Sequence, residues 1–113
     1  AIIKALRRSG AKKISMLITY PQINYPCYAG IDFPSQEELA TFTDGKEMTA
    51  DEITEMVRKS IGVDFLVYND AENLADAVGM PKDSMCFTCS SGNYDSLGIK
   101  PDFSKREQVK AKI

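Results

Sequence analysis

Three cysteines, far apart in the chain, constrain its fold more than any other feature. Two form a Cys-x-x-Cys pair, Cys86-Phe87-Thr88-Cys89, and the third lies well upstream in Tyr25-Pro26-Cys27-Tyr28. The paired spacing lets two thiolates point at one centre from a tight turn. The proline-led loop around Cys27 can aim a side chain without belonging to a regular element. Structural zinc and iron–sulfur sites usually take four protein ligands, and the chain has no histidine to make up the number. The set is therefore incomplete here, completed by a residue outside this chain, or not a metal site. Three readings stay open at this level: thiols gathered on a metal, inert buried thiols that pack as small hydrophobes, or a redox pair. The last is weakened because Ser90-Ser91-Gly92-Asn93 follows Cys89, which is turn chemistry and not the start of an apolar helix.

A length of 113 residues suffices for one small domain with a core. The formal net charge is −2 and the lysines and arginines are scattered, so nothing marks a nucleic-acid partner. No apolar run approaches membrane-spanning length, and the first residues lack the order of a signal peptide. An odd cysteine count without a secretion signal points to a reducing, cytoplasmic setting. The chain opens without a methionine, inside an apolar-periodic helix, which leads us to expect a fragment of a longer protein.

The periodicity predicts a helix over residues 1–9, with Ile2, Ile3 and Leu6 at helical spacing, Arg7 and Arg8 in the last turn, and Gly10 as the stop. Residues 12–19 have the continuous apolar centre of a buried strand in a parallel sheet. Helix, short loop and strand make half of a crossover unit. Residues 20–34 form an extended loop, because Pro21, Pro26 and Pro34 forbid a helix, and its aromatic content argues against disorder. Ser35 has the form of a capping box for a short helix over 36–42 that turns Leu39 and Phe42 inward. Thr49 caps a second helix through Ile61, with Ile53, Met56, Val57 and Ile61 as its apolar stripe and Asp51, Glu52, Glu55, Arg58 and Lys59 as a solvated face. A second strand spans 64–68, and Asn69-Asp70 caps a helix over 71–78 that Gly79 and Pro81 end. The tail from Ser96 has few apolar anchors and reads as peripheral.

Several blocks together resemble a known family. They are Ser9-Gly10-Ala11-Lys12-Lys13, Tyr25-Pro26-Cys27-Tyr28-Ala29-Gly30-Ile31-Asp32-Phe33-Pro34-Ser35, Glu37-Glu38-Leu39, Ile61-Gly62-Val63-Asp64 with Leu66-Val67-Tyr68, and Cys86-Phe87-Thr88-Cys89-Ser90-Ser91-Gly92-Asn93-Tyr94. Their order and content are similar to the C-terminal part of the transferase domain of amidophosphoribosyltransferases. The resemblance implies an α/β fold, the C-terminal part of a type I phosphoribosyltransferase fold with short parallel strands and flanking helices, over residues 1–95, with 96–113 as a peripheral tail that the resemblance does not cover.

That family makes 5-phosphoribosylamine from glutamine and phosphoribosylpyrophosphate in purine synthesis. The resemblance implies Mg²⁺, inhibition by purine nucleotides and homo-oligomers for the full-length enzyme, with no nucleic-acid or membrane partner. The glutaminase nucleophile and the paired acids of the sugar-phosphate loop have no counterpart here, so no catalytic residue is assigned in this chain. In one branch of the family four cysteines bind a structural 4Fe-4S cluster, and Cys27, Cys86 and Cys89 match three of them, the fourth lying outside the chain. Leu39 matches a position lining the ammonia channel, with simple core packing as its alternative. The family's Ser-Pro-Pro is replaced by Tyr20-Pro21-Gln22, and its Phe-Thr-Gly by Ser90-Ser91-Gly92. Two other functions are compatible with the residues alone: a zinc-binding interaction module, and a non-catalytic phosphoribosyltransferase-like regulator that binds nucleotides.

Overall fold

A computed structural model describes residues 1–27 and 36–98. Helix α1 spans Ile2–Arg8, strand β1 Ser15–Ile18, helix α2 Ala50–Ile61, strand β2 Phe65–Tyr68, helix α3 Ala71–Val78 and helix α4 Thr88–Ser91. Single 3₁₀ turns lie at Gln36–Glu38, Lys82–Ser84 and Asp95–Leu97. The strands pair in parallel, with Ser15 opposite Phe65 and Ile18 opposite Tyr68. Parallel neighbours need a long crossover, and α2 lies within the one that joins them. The architecture is therefore α/β, short parallel strands with flanking helices.

The capping residues set these boundaries as the sequence leads one to expect. The Thr49 side chain accepts from the Glu52 N–H, and Gly62 closes α2 in the left-handed region at φ 79°. Asp70 accepts from the Asn73 N–H at 2.7 Å and opens α3. The core lies between α2 and one face of the strand pair: Ile14, Val57, Val63 and Leu66 are buried, with Met16, Ile18, Ile53, Met56, Ile61 and Tyr68 packed around them.

Asp64 joins the entrances of the two strands. Its Oδ2 accepts from the Ile14 N–H at 2.8 Å and from Arg7 Nη2 at 2.8 Å. Arg7 also donates to the carbonyls of Lys12 and Gly62, which seats the end of α1 beside the sheet. At the other end Asn69 donates from its backbone to Ile18 O and from its side chain to Thr19 O.

Two expectations need correction. β1 is not a buried strand: Leu17 is 71% exposed, and its neighbours Phe65 and Val67 on β2 are exposed too. Alternation turns every second side chain to the opposite face, and among the described residues only the face towards α2 is covered. The expected helix over 36–42 is a single 3₁₀ turn ending at Glu38. Thr41 turns its hydroxyl to Ile23 O at 2.7 Å, offering the chain a partner outside the helix. Leu39 is buried as expected, whereas Phe42 is exposed. Ser35, most of the central Tyr25–Ser35 motif and the tail from residue 99 on lie outside the described residues.

Candidate metal centre

The Cys86–Cys89 turn and the loop that carries Cys27 are tied together by hydrogen bonds between residues remote in sequence. The carbonyl of Cys89 accepts from the Asn24 N–H at 3.0 Å and the Tyr25 N–H at 2.9 Å. Tyr94, 2% exposed, donates its hydroxyl to Pro26 O, immediately before Cys27. Tyr20 donates to Cys86 O at 2.6 Å, and its ring stacks on Phe87 with centroids 5.7 Å apart.

Cys86 lies between the Lys82–Ser84 turn and α4, and Cys89 lies inside the single polar turn of α4. Gly92 ends that turn at φ 75°. A Cβ there would stand 2.9 Å from the Tyr25 ring, so both the backbone angle and the close approach call for glycine. The Cys27 loop can pack this tightly on the turn only because residue 92 has no side chain.

The thiols differ in their surroundings. Cys86 is exposed, while Cys27 and Cys89 are half-buried, and none forms a disulfide. The backbone N–H and the hydroxyl of Thr88 draw the Cys86 thiol below its ordinary pKa, with Sγ 3.5 Å from Thr88 Oγ1. Burial pushes the Cys89 thiol up, and the charges of Cys27 and Cys86 push it the same way. Burial likewise raises the Tyr20 phenol, followed by Cys89, Cys86 and Cys27. The segments that carry the three thiols are joined by the Asn24, Tyr25 and Tyr94 hydrogen bonds.

Their arrangement is not that of a single-ion site: among the described residues no three thiol, imidazole or carboxylate groups could hold one metal ion. In a polynuclear cluster each thiolate binds its own iron, so the sulfurs need not converge on one atom. Three thiols outside any disulfide, on two segments hydrogen-bonded to each other, suit that chemistry as a donor set, one ligand short of the usual four.

The carboxyl ends of the strands open on a separate cleft of about 510 Å³, lined by Gln22, Thr54, Tyr68 and Asn69 among others. Parallel sheets bind ligands at such ends. Asp51 and Asp70 on its wall disfavour a phosphate there, and we assign it no ligand. Leu39 is buried behind the Gln36–Glu38 turn.

Sequence reasoning passed over Tyr20, Gln22 and Tyr94. Gln22 is buried and donates to Ala50 O at 2.8 Å and Thr54 Oγ1 at 2.7 Å, fastening the loop to the first turn of α2. The signal available for Tyr20 and Gln22 was their departure from the Ser-Pro-Pro pattern.

The chain is similar to several curated enzymes. It is 35% identical over 94 residues, 83% of its length, to the amidophosphoribosyltransferase of Mycobacterium leprae. Identity is 36% over 104 residues, 92% of the chain, with amidophosphoribosyltransferase 2, chloroplastic, of Arabidopsis thaliana, and 32% over 111 residues, 98% of the chain, with the amidophosphoribosyltransferase of Methanothermobacter thermautotrophicus. The chain belongs to the amidophosphoribosyltransferase family. It spans 16 to 22% of the length of these amidophosphoribosyltransferases. No family model matches it. The alignments with the plant and archaeal amidophosphoribosyltransferases run past Asp95 into the tail, further than the motif blocks alone reach.

Proposed function

We propose that this chain is a piece of an amidophosphoribosyltransferase, the glycosyltransferase that makes 5-phosphoribosylamine from glutamine and phosphoribosylpyrophosphate, and that it supplies three ligands of a structural 4Fe-4S cluster. Cys27, Cys86 and Cys89 hold the cluster, with a fourth ligand outside the chain. Phosphoribosylpyrophosphate, glutamine and Mg²⁺ bind elsewhere in the full-length cytoplasmic enzyme. Leu39 belongs to the wall of the path that ammonia takes between its two reactions.

The observation that carries the ligand assignment is the seating of the Cys27 loop on the Cys89 turn, through Cys89 O, Gly92 and Tyr94. When bound, the cluster acts as a cross-link between remote points of the chain. The residues described here do the prior work: they seat the Cys27 loop on the Cys89 turn and draw Cys86 towards the thiolate that a metal requires.

Anaerobic purification of the full-length protein tests the reading. Iron and sulfide in near-equal amounts, with a broad visible absorption band, are expected. Cys86→Ser is expected to lose most of that iron and to shorten the protein's lifetime in air. Iron content equal to the parent's in Cys86→Ser, or colourless parent protein with stoichiometric zinc, overturns the assignment.

A further inference from the structure

Five consecutive residues before Cys27 are each held by a partner remote in sequence. Gln22, 8% exposed, donates its amide to Ala50 O at 2.8 Å and to Thr54 Oγ1 at 2.7 Å. Ile23 O accepts from the buried Thr41 hydroxyl at 2.7 Å. Asn24 and Tyr25 donate their backbone N–H groups to Cys89 O, and Pro26 O accepts from the Tyr94 hydroxyl. The first anchor lies on the opening turn of α2 and the last three on the cysteine segment, so residues 22–26 form a strap between the two. The same parts line the cleft at the carboxyl ends of the strands: Gln22 and Asn24 from the strap, Ala50 and Thr54 from α2, and Ser90 from the cysteine turn.

We infer that this strap couples the cysteine centre to the strand-end cleft, and that Gln22 is the residue through which order imposed at Cys27 reaches the first turn of α2. This rests on the cluster reading above. The opening turn of a helix is where fraying begins, because its N–H groups have no carbonyl one turn back. In α2 that turn is held from within by the Thr49 cap. From outside it is held by Gln22, which grips Ala50 and Thr54, one turn apart. A strap held at its Cys27 end by hydrogen bonds alone can shift and take Gln22 with it. A strap whose next residue is bonded to an inorganic centre cannot, so ordering the α2 turn then costs less entropy. Loss of the centre should therefore loosen the α2 wall of the cleft while leaving the core of Ile14, Val57, Val63 and Leu66 in place. The link runs through a buried amide that is itself no metal ligand.

The test is hydrogen–deuterium exchange on the full-length protein, metal-free and after anaerobic reconstitution with ferrous iron and sulfide. The parent is compared with Gln22→Met, which keeps the length of the side chain and removes its donors. In the parent, loading is expected to slow exchange several-fold in peptides covering residues 50–56 and to leave β2 unmoved. In Gln22→Met, saturating iron and sulfide are expected to give the parent's iron content, with exchange at 50–56 the same in both states. Coupling is reciprocal, so loaded Gln22→Met should give up its iron to a lower concentration of chelator than the parent does. A loaded parent with no slowing at α2 overturns the coupling, and slowing that survives in Gln22→Met overturns the role of Gln22. Slowing that extends equally to β2 shows general stabilisation of the fold and overturns the inference as well. A parent that takes up no iron overturns the cluster reading and this inference with it, so the two failures are distinguishable. Should Gln22→Met fail to fold, Thr54→Val removes one of the two acceptors. A smaller change at α2 on loading is then expected, and a change as large as the parent's is fatal to the proposal.

Discussion

Two regions of the molecule meet at β1, and they are held by different interactions. From α1 to β2 the chain is organised by a core of Ile14, Val57, Val63 and Leu66 and by helix caps that act within a few residues. Around the cysteines, the Tyr20–Cys27 loop and the Met85–Tyr94 segment meet through single long-range hydrogen bonds, one stacked ring pair and one glycine. Apolar burial is distributed over many atoms and tolerates small displacements. A junction made of a few directional contacts does not, and it gains most from a cross-link that fixes remote points at once. The difference explains why a structural metal centre would sit in the second region and not in the first.

If the first region depends on its core, damage there has the largest effect and spreads to the whole fold. Leu66→Ala empties a buried position on the central face of the pair. A cost of about 3 kcal/mol is expected, read as a lower midpoint in urea unfolding of the full-length protein. A loss under about 1 kcal/mol would mean that the sheet is held from elsewhere and that the contrast between the regions is false.

Gly92→Ala strikes the second region. It forces a side chain into the left-handed region at φ 75° and against the Tyr25 ring. A cost of about 1–3 kcal/mol is expected, but the effect should be local. Cys27 and Cys89, both half-buried, should react faster with a thiol reagent in the metal-free protein, while the unfolding midpoint moves less than in Leu66→Ala. Unchanged thiol reactivity would show that the loop is not seated through Gly92.

The same division governs what could be read from the sequence. The stops at Gly62 and Gly79, the caps Thr49 and Asp70, and the stripe through Val57 are local rules acting on neighbours, and they were legible. The exposure of Leu17 was not, because an apolar run reports a strand's preference and not which of its faces is covered. At the cysteines, motif spacing named the residues that bear sulfur. It could not show that Tyr20 and Tyr94 bind to those motifs, or that Gln22 fastens the loop to α2, since their partners lie far along the chain.

A smaller effect sharpens the picture of the first region. The Ile14 N–H, and then the Arg7 guanidinium, hold the Asp64 carboxyl below the usual carboxylate value. A carboxylate depressed on folding stabilises the native state above its unfolded pKa of about 4. That contribution is lost as the pH falls through the depressed native value. Asp64→Asn should therefore melt at a lower temperature than the parent at neutral pH, and the gap should narrow on acidification below the ordinary carboxylate range. A gap that stays constant with pH would mean that Asp64 acts by shape alone.

The smallest effect is expected on the outer face of α2. Glu55 and Arg58 form a paired contact, with Arg58 Nε to Glu55 Oε2 at 2.8 Å and Nη2 to Oε1 at 2.6 Å. The geometry is that of a strong bidentate pair, but Glu55 is exposed and water screens it. Arg58 also donates to Val63 O at 3.0 Å, so it keeps a partner when the carboxylate is removed. Glu55→Gln should leave the melting temperature within about 3 °C of the parent, with no change in thiol reactivity at the cysteines. A drop as large as that of Leu66→Ala in the full-length protein would show that this charged face is covered by another surface there. The core of the first region would then extend across α2 instead of ending on it.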